Sequence, residues 1–301
     1  MLPIQRCLCV LAMVGLVAPP GAAPAASSPA AAPADDLSSL NSAPCDAGGR
    51  PVAEALSASL RGLLDAGRSA GRDRGIAYRV VEKSAAWERY RAAAGCLGSF
   101  DPAALARREE RLAFWINVYN SLVVHQVLAS GVPGSVLEMP GFFDREGYEI
   151  GGRRFSLDQI EHGILRGNRP KQAGAAPLLP PGDARLRYTL GDLDPRLHFA
   201  LVCGARSCPP VRAYDAERID AQLEAGAGDY LNGTVRATAD GRGLTLPMIL
   251  NWFEADFGGR RGLLDLLHRH LGAGPARRVL ESEREPTLSY PEFDWRLNDA
   301  H

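Results

Sequence analysis

Apolar residues recur at three- and four-residue spacing through VAEALSASLRGLLDAG (residues 52–67) and stop at a glycine, the pattern of an amphipathic helix. IAYRVVEKSAAWERYRAAAGCLG (76–98) opens on a strand-like run and continues into a helix predicted to end at Gly95. Residues 101–131 begin with an aspartate cap and a proline at the first helical position and close at Gly131. This stretch, read as one helix or two, is the longest and most apolar helical region after the N-terminal segment, so it is expected to run through the core.

GYEIGGRRFSLDQIEHGILRG (147–167) reads as a short hairpin strand, a turn and a helix capped at Ser156 or Asp158. Residues 168–196 are rich in proline and glycine without periodicity and predict an extended surface loop. In RLHFALVC (196–203) both alternating sets contain apolar residues, as a central strand requires. A helix capped by Asp215 (215–233), a short strand (243–247), two helical segments (247–259 and 260–272) and a final strand within 288–299 complete the pattern. No internal repeat is present. The fold class predicted is α+β (mixed α/β): a single domain with many helices packed around a small, mainly antiparallel sheet.

An apolar fraction of 46% is ample for a sizeable core. Lys and Arg number 34 against 35 Asp and Glu, with no dense basic block, so nucleic-acid binding has no electrostatic footprint. The N-terminus changes the picture more. A short leader with Arg6, an apolar stretch from Cys7 to Val17 and small-residue sites behind it have the build of a secretory signal peptide. Residues 1–25 are assigned to it, 26–44 to an Ala/Pro-rich flexible tether and 45–301 to the globular domain. The expected location is the periplasm or beyond. Cys7 and Cys9 lie inside the apolar stretch and not after a small-residue triplet, so neither a lipid anchor nor another stable membrane anchor is expected.

Cys45, Cys96, Cys203 and Cys208 then remain, an even number in an oxidising compartment, which predicts two disulfides. Cys45–Cys96 with Cys203–Cys208 is the most local of three connectivities, and the others stay open.

The candidate chemistry lies in three places. Asn117 and Asn120 share a face of the long helix, flanked by Trp115, Ile116, Tyr119 and Leu122. A buried amide without partners costs roughly 1–3 kcal/mol, so they either tie down a neighbouring loop or serve to orient a catalytic side chain or bind a substrate carbonyl. His162 and Arg166 lie off the apolar face made by Ile160, Ile164 and Leu165, with Glu161 between faces. In HFALVCGARSCPPV (198–211), strand alternation sets His198 opposite Cys203 and out of its reach, while Cys208 beyond the turn is free to approach either side. Arg206 between the cysteines would lower a thiol pKa from its usual value of about 8.5, and the CGARS turn offers backbone amides for an oxyanion hole or anion nest. The competing reading is a Cys203–Cys208 disulfide, structural or redox. A zinc site from Cys203, Cys208, His198 and His162 has suitable ligand types but matches no familiar spacing. His268 and His270 diverge on their helix and are expected to face solvent.

RLAFWINVYNSLVVHQVL, SLDQIEHGILR, LHFALVCGARSCPPV, MILNWFEADFG and YPEFDWRLND, in that order, resemble the signature segments of the family called domain of unknown function 547, over about Arg107 to Asn298. The family is named for the absence of an assigned activity. Its pattern implies functional positions at Asn117, Asn120, Glu161, His162, Arg166, His198, Cys203, Cys208, Pro209, Asp294, Trp295 and Asn298. It also implies an exported single-domain bacterial protein, or a plant protein with extra domains. The chain is distantly similar as well to papain and transglutaminase-like thiol hydrolases, in which a helix packs on a small sheet bearing a histidine. Asn117 stands where those enzymes carry the nucleophile, and the cysteines here come later.

The functional expectation is a thiol-dependent hydrolase or transferase acting on an amide or ester in a small-molecule or peptide ligand, without a cofactor. Cys203 or Cys208 is its nucleophile, His162 or His198 the base, Asn117 or Asn120 the orienter, and Glu161, Arg166, Arg206 and Trp115 the substrate contacts. The alternatives are a non-catalytic envelope binding or scaffold domain with a structural Cys203–Cys208 bridge, and a thiol-disulfide exchanger that lacks the short CxxC spacing.

Overall fold

In a computed structural model the chain is described over residues 38–67, 75–283 and 285–300. The segment assigned to the signal peptide, with Cys7 and Cys9, and the tether up to residue 37 lie outside the described residues. The described residues fall in one compact unit.

After a two-residue strand, β1 (Ser38–Ser39), the amphipathic periodicity gives α1 with the bounds it predicts, Val52–Gly67. The strand-like run that follows is helical instead: Ile76 forms an isolated bridge to Asp299 and α2 covers Tyr78–Glu82. α3 (Ala85–Gly95) starts where the Ser84 hydroxyl accepts from the Trp87 amide. The Asp-Pro start at residue 101 belongs to a separate 3₁₀ turn, Pro102–Ala104, with Asp101 accepting from the Ala103 amide at 3.0 Å. α4 (Arg108–Ala129) is the central helix, and every residue from Leu112 to Leu128 is buried. A helix that is largely apolar all round has no face to give to solvent, so the other elements wrap it.

The hairpin β2 (Glu146–Ile150) and β3 (Arg153–Ser156) turns through Gly151 and Gly152, both at positive φ, which suits glycine in a two-residue hairpin loop. Tyr148 opposes Phe155 across it, and β1 joins β2 in parallel. A π-helical segment, Gln159–Leu165, leaves β3 directly. α5 (Ile219–Thr234), β4 (Arg236–Ala237), β5 (Gly243–Thr245), α6 (Met248–Trp252), α7 (Gly259–His270), α8 (Pro275–Ser282) and β6 (Thr287–Ser289) follow. β5 pairs antiparallel with β4 and parallel with β6. The class is α+β, with helices around two small sheets and a main apolar core built on α4. A second apolar cluster gathers α5, α7 and α8.

Disulfides join Cys45 to Cys96 and Cys203 to Cys208. The first ties the segment before α1 to the turn after α3.

Two further expectations are corrected. The strand predicted over 196–203 is a 3₁₀ turn, Pro195–Phe199, followed by unpaired extended residues. Asp194 caps it by accepting from the Arg196 amide at 3.0 Å and Pro195 sits at its first position, so local capping chemistry overrides the apolar alternation. His268 does face solvent, but the His270 ring turns inward, with its side chain 4% exposed and Nδ1 3.5 Å from Glu224.

Candidate functional site

The π-helical segment starts from reciprocal contacts. The Ser156 amide donates to Gln159 Oε1 at 3.2 Å and the Gln159 amide to Ser156 Oγ at 3.3 Å, while Arg185 donates to the same Gln159 oxygen at 2.9 Å. Gly163 lets the segment pack closely on Leu179, whose side chain would have to shift for a Cβ, 2.9 Å from its nearest methyl. So fixed, the segment places Asp158, Glu161 and His162 along one wall of a cavity of about 520 Å³. Tyr119 of α4 forms the adjoining wall. Lys171 enters from the following loop, and His198, Leu201, Val202, Cys203, Cys208 and Pro209 also line the cavity.

Burial dominates the electrostatics. The Tyr119 hydroxyl donates to Glu161 Oε2 at 3.1 Å. Burial, reinforced by the neighbouring Asp158 charge and only partly opposed by Arg166 and the Tyr119 hydrogen bond, pushes the Glu161 carboxyl up to about 7. Asp158 is also raised by burial, against the pull of Lys171, whose ammonium lies 2.7 Å from Oδ2.

Arg166 donates to His162 Nδ1 at 2.8 Å, and a guanidinium has no acceptor, so Nδ1 is the unprotonated nitrogen. The neutral ring therefore carries its proton on Nε2, 3.7 Å from Asp158 Oδ1. Burial, with the Arg166 and Lys171 charges, holds His162 well below its ordinary value.

Beneath the cavity lies a buried charge cluster on Asp256, a residue in the turn between α6 and α7. Its Oδ2 accepts from Arg166 Nε at 2.6 Å and from His198 Nε2 at 2.9 Å, and its Oδ1 faces Arg169 at 3.1 Å. Burial opposes ionisation of Asp256, yet the hydrogen bonds from His198 and Arg166 outweigh it and hold the carboxyl well below the usual carboxylate range. Burial lowers His198, against the attraction of Asp256, and its ring stacks on Phe253 at 3.9 Å. At the mouth, Trp252, Phe293 and Trp295 form an aromatic rim with centroids 4.6–5.9 Å apart, and Trp252 is 45% exposed.

The sequence-predicted residues divide. Cys203, Cys208, His162, His198 and Glu161 share the cavity, and Arg166 supports it from below. Without the predicted strand, the separation of His198 from Cys203 by alternation disappears: both line the same space. Neither sulfur is a free thiol, because they are bonded to each other, and the bridge also consumes the sulfurs a zinc site would need.

Asn117 and Asn120 are spent on backbone. Asn117 donates to the Tyr214 carbonyl at 2.7 Å and accepts from the Tyr214 amide at 2.8 Å. Asn120 donates to the carbonyls of Ala200 (3.0 Å) and Arg212 (3.3 Å) and accepts from the Val202 amide at 3.2 Å. Asn120 thus positions the segment between His198 and Cys203 without touching either side chain, which is the loop-tying role weighed for it. Trp115 is fully buried among Phe114, Phe155 and Tyr188, away from the cavity, and Arg206 donates to the Leu297 carbonyl outside it.

Sequence reasoning missed Asp256, Lys171, Tyr119 and the Trp252 and Phe293 rim as site residues. Asp256 is one of two acidic residues, with Glu254, in MILNWFEADFG, and nothing local pairs it with Arg166 and His198.

Residues 102–231 match the model of the family described as "Protein of unknown function, DUF547". No curated protein and no solved structure matches the chain. The matched stretch holds α4, the π-helical segment and the Cys203–Cys208 turn, whereas Asp256, Trp252 and the segment carrying Phe293 and Trp295 follow it.

Proposed function

We propose, for a chain that belongs through residues 102–231 to the DUF547 family, that this cavity is the active site of an exported hydrolase or transferase acting on an amide or ester. The observation that carries the reading is Glu161, a carboxyl lining the cavity that burial holds at about 7, where one group can both take and return a proton at neutral pH. Glu161 takes a proton from a water molecule, or from an acceptor hydroxyl or amine in a transfer, as that oxygen or nitrogen bonds to the carbonyl carbon, and returns it to the alcohol or amine that leaves as the ester C–O or amide C–N bond breaks. Tyr119 orients the carboxyl through its hydroxyl, and the neutral His162 supplies an Nε2–H donor for the carbonyl oxygen. The aromatic rim receives an apolar part of the ligand. The thiol-dependent form of this chemistry requires the bridge to be open, because a disulfide sulfur carries no thiolate. Export is supported by the leader around Arg6 and Cys7–Val17 and by the two disulfides.

The test is a panel of nitrophenyl esters and aryl amides offered to the wild-type chain and to Glu161→Gln. Turnover that falls by about 10²–10⁴-fold in a folded Glu161→Gln protein supports the reading. A wild-type chain inert toward the whole panel, or a variant as active as wild type, overturns it.

Two observations favour a second reading, a non-catalytic binding domain: the sulfurs are paired, and both asparagines satisfy loop backbone. Under it the same panel gives no turnover, while an aromatic ligand quenches the fluorescence of Trp252 and Trp295.

A further inference from the structure

We propose that Cys203–Cys208 is an exchange-competent cystine that a dithiol reductant opens from the cavity and that re-forms between the same two sulfurs. Placement comes first: both cysteines line the cavity, Cys203 is partly exposed and Cys208 is 9% exposed, so the Cys203 sulfur is the more accessible to an incoming thiolate. The Cys203 amide donates to Cys208 Sγ at 3.2 Å, so the sulfur that departs is already hydrogen-bonded by a backbone N–H that stabilises a thiolate.

The frame around the bridge does not depend on it. The Cys208 amide donates to the Ala205 carbonyl at 3.1 Å, the Arg206 amide to Arg296 at 2.9 Å, and the Asn298 amide to Gly204 at 2.9 Å. Gly204 itself sits at φ 75°, where a Cβ would meet Val136 at 2.9 Å. With the bond cut, these contacts keep the two thiols adjacent, which favours re-forming the original pair. A bridge spanning only 5 residues also restrains the unfolded chain less than one spanning 51.

In the exchange, one thiolate of the dithiol attacks the Cys203 sulfur. A mixed disulfide forms as the Cys203–Cys208 bond breaks, and Cys208 leaves as a thiolate. The second thiolate of the reductant attacks its own sulfur in the mixed disulfide, releasing Cys203 and closing the reductant to a cyclic disulfide. Two electrons pass to the chain. The step uses the sulfurs and the backbone around them and does not rest on the hydrolytic reading of Glu161.

The test equilibrates the native chain with graded ratios of reduced and oxidised dithiothreitol. Acid quenching, alkylation and peptide mass spectrometry then follow each cysteine. The expected result is paired labelling of Cys203 and Cys208 at ratios that leave Cys45–Cys96 closed, and recovery of the same pair when the oxidised reagent is restored. A Cys203–Cys208 bridge that opens only together with Cys45–Cys96 as the chain unfolds, or that re-forms with other partners, overturns the proposal. The exchange is read by labelling of the cysteines and the hydrolytic reading by turnover of the ester and amide panel, so the failure of each is separately visible.

Discussion

Arg166 and His162, one turn apart, are joined by a hydrogen bond of 2.8 Å from the guanidinium to Nδ1, and that bond sets which nitrogen of the ring carries the proton. The same guanidinium donates through Nε to Asp256 at 2.6 Å. A single arginine thus links the acid–base wall of the cavity to the buried carboxylate that anchors His198.

Glu161 makes stability depend on pH in a definite direction. A glutamate titrates near 4.5 in the unfolded chain and at about 7 in the fold, so between those values the folded chain holds a proton the unfolded chain has released. The contribution is fully present below pH 4.5, declines as pH rises and is lost above 7, a change of about 3 kcal/mol. Urea unfolding at pH 5 and pH 8 checks it: Glu161→Gln loses stability less steeply than wild type over that interval. Equal slopes would mean that Glu161 titrates as an ordinary glutamate.

Asp256→Asn removes the carboxylate shared by Arg166, Arg169 and His198 and takes from the buried Arg166 guanidinium its ion-pair partner. The expected loss is about 3 kcal/mol or more. Arg169 lies at the edge of the cluster with its side chain 48% exposed, and Arg169→Ala is expected to cost less than about 1 kcal/mol. Denaturant midpoints of the two variants, compared at equal slope, measure the contrast; similar midpoints would place the strain of the cluster elsewhere.

The two disulfides are expected to differ in their effect on stability. From the entropy of closing a loop, Cys45–Cys96, spanning 51 residues, contributes about 4 kcal/mol, and Cys203–Cys208, spanning 5, about 2 kcal/mol. Thermal unfolding of the two double serine variants reads the order, and a larger loss for the Cys203/Cys208 pair would reverse it.

Much of the helical frame was legible because it is written in periodicity: α1 runs from Val52 to Gly67 as the spacing predicts, and the glycine pair at 151–152 marks its hairpin. The cysteine pairing is the most local of the three connectivities the sequence leaves open, and the fold selects it. The segment before Cys203 was misread because its apolar alternation is real, yet Asp194 and Pro195 start a 3₁₀ turn that alternation does not weigh. The site was legible only in part. Glu161, His162, His198 and the cysteines stand out by residue type, whereas Asp256 gains its meaning from partners 90 and 58 residues away. Asn117 and Asn120 were correctly marked as needing partners, but a sequence does not say whether a buried amide will meet backbone or substrate.

α4 has a consequence outside the folded state. By length and composition it is long and apolar enough to cross a membrane, with a mean hydropathy of 1.2 over its most apolar window. Under the export proposed above, such a segment would meet lipid as a competing solvent in a translocation channel, before any core exists. Asn117, Asn120, Ser121, His125 and Gln126 interrupt its apolar surface, and each raises the free energy of leaving the channel sideways into hydrocarbon. On that proposal the amides that fasten the loops of the finished protein would also act on the unfinished one, biasing the helix toward complete passage over arrest in the bilayer.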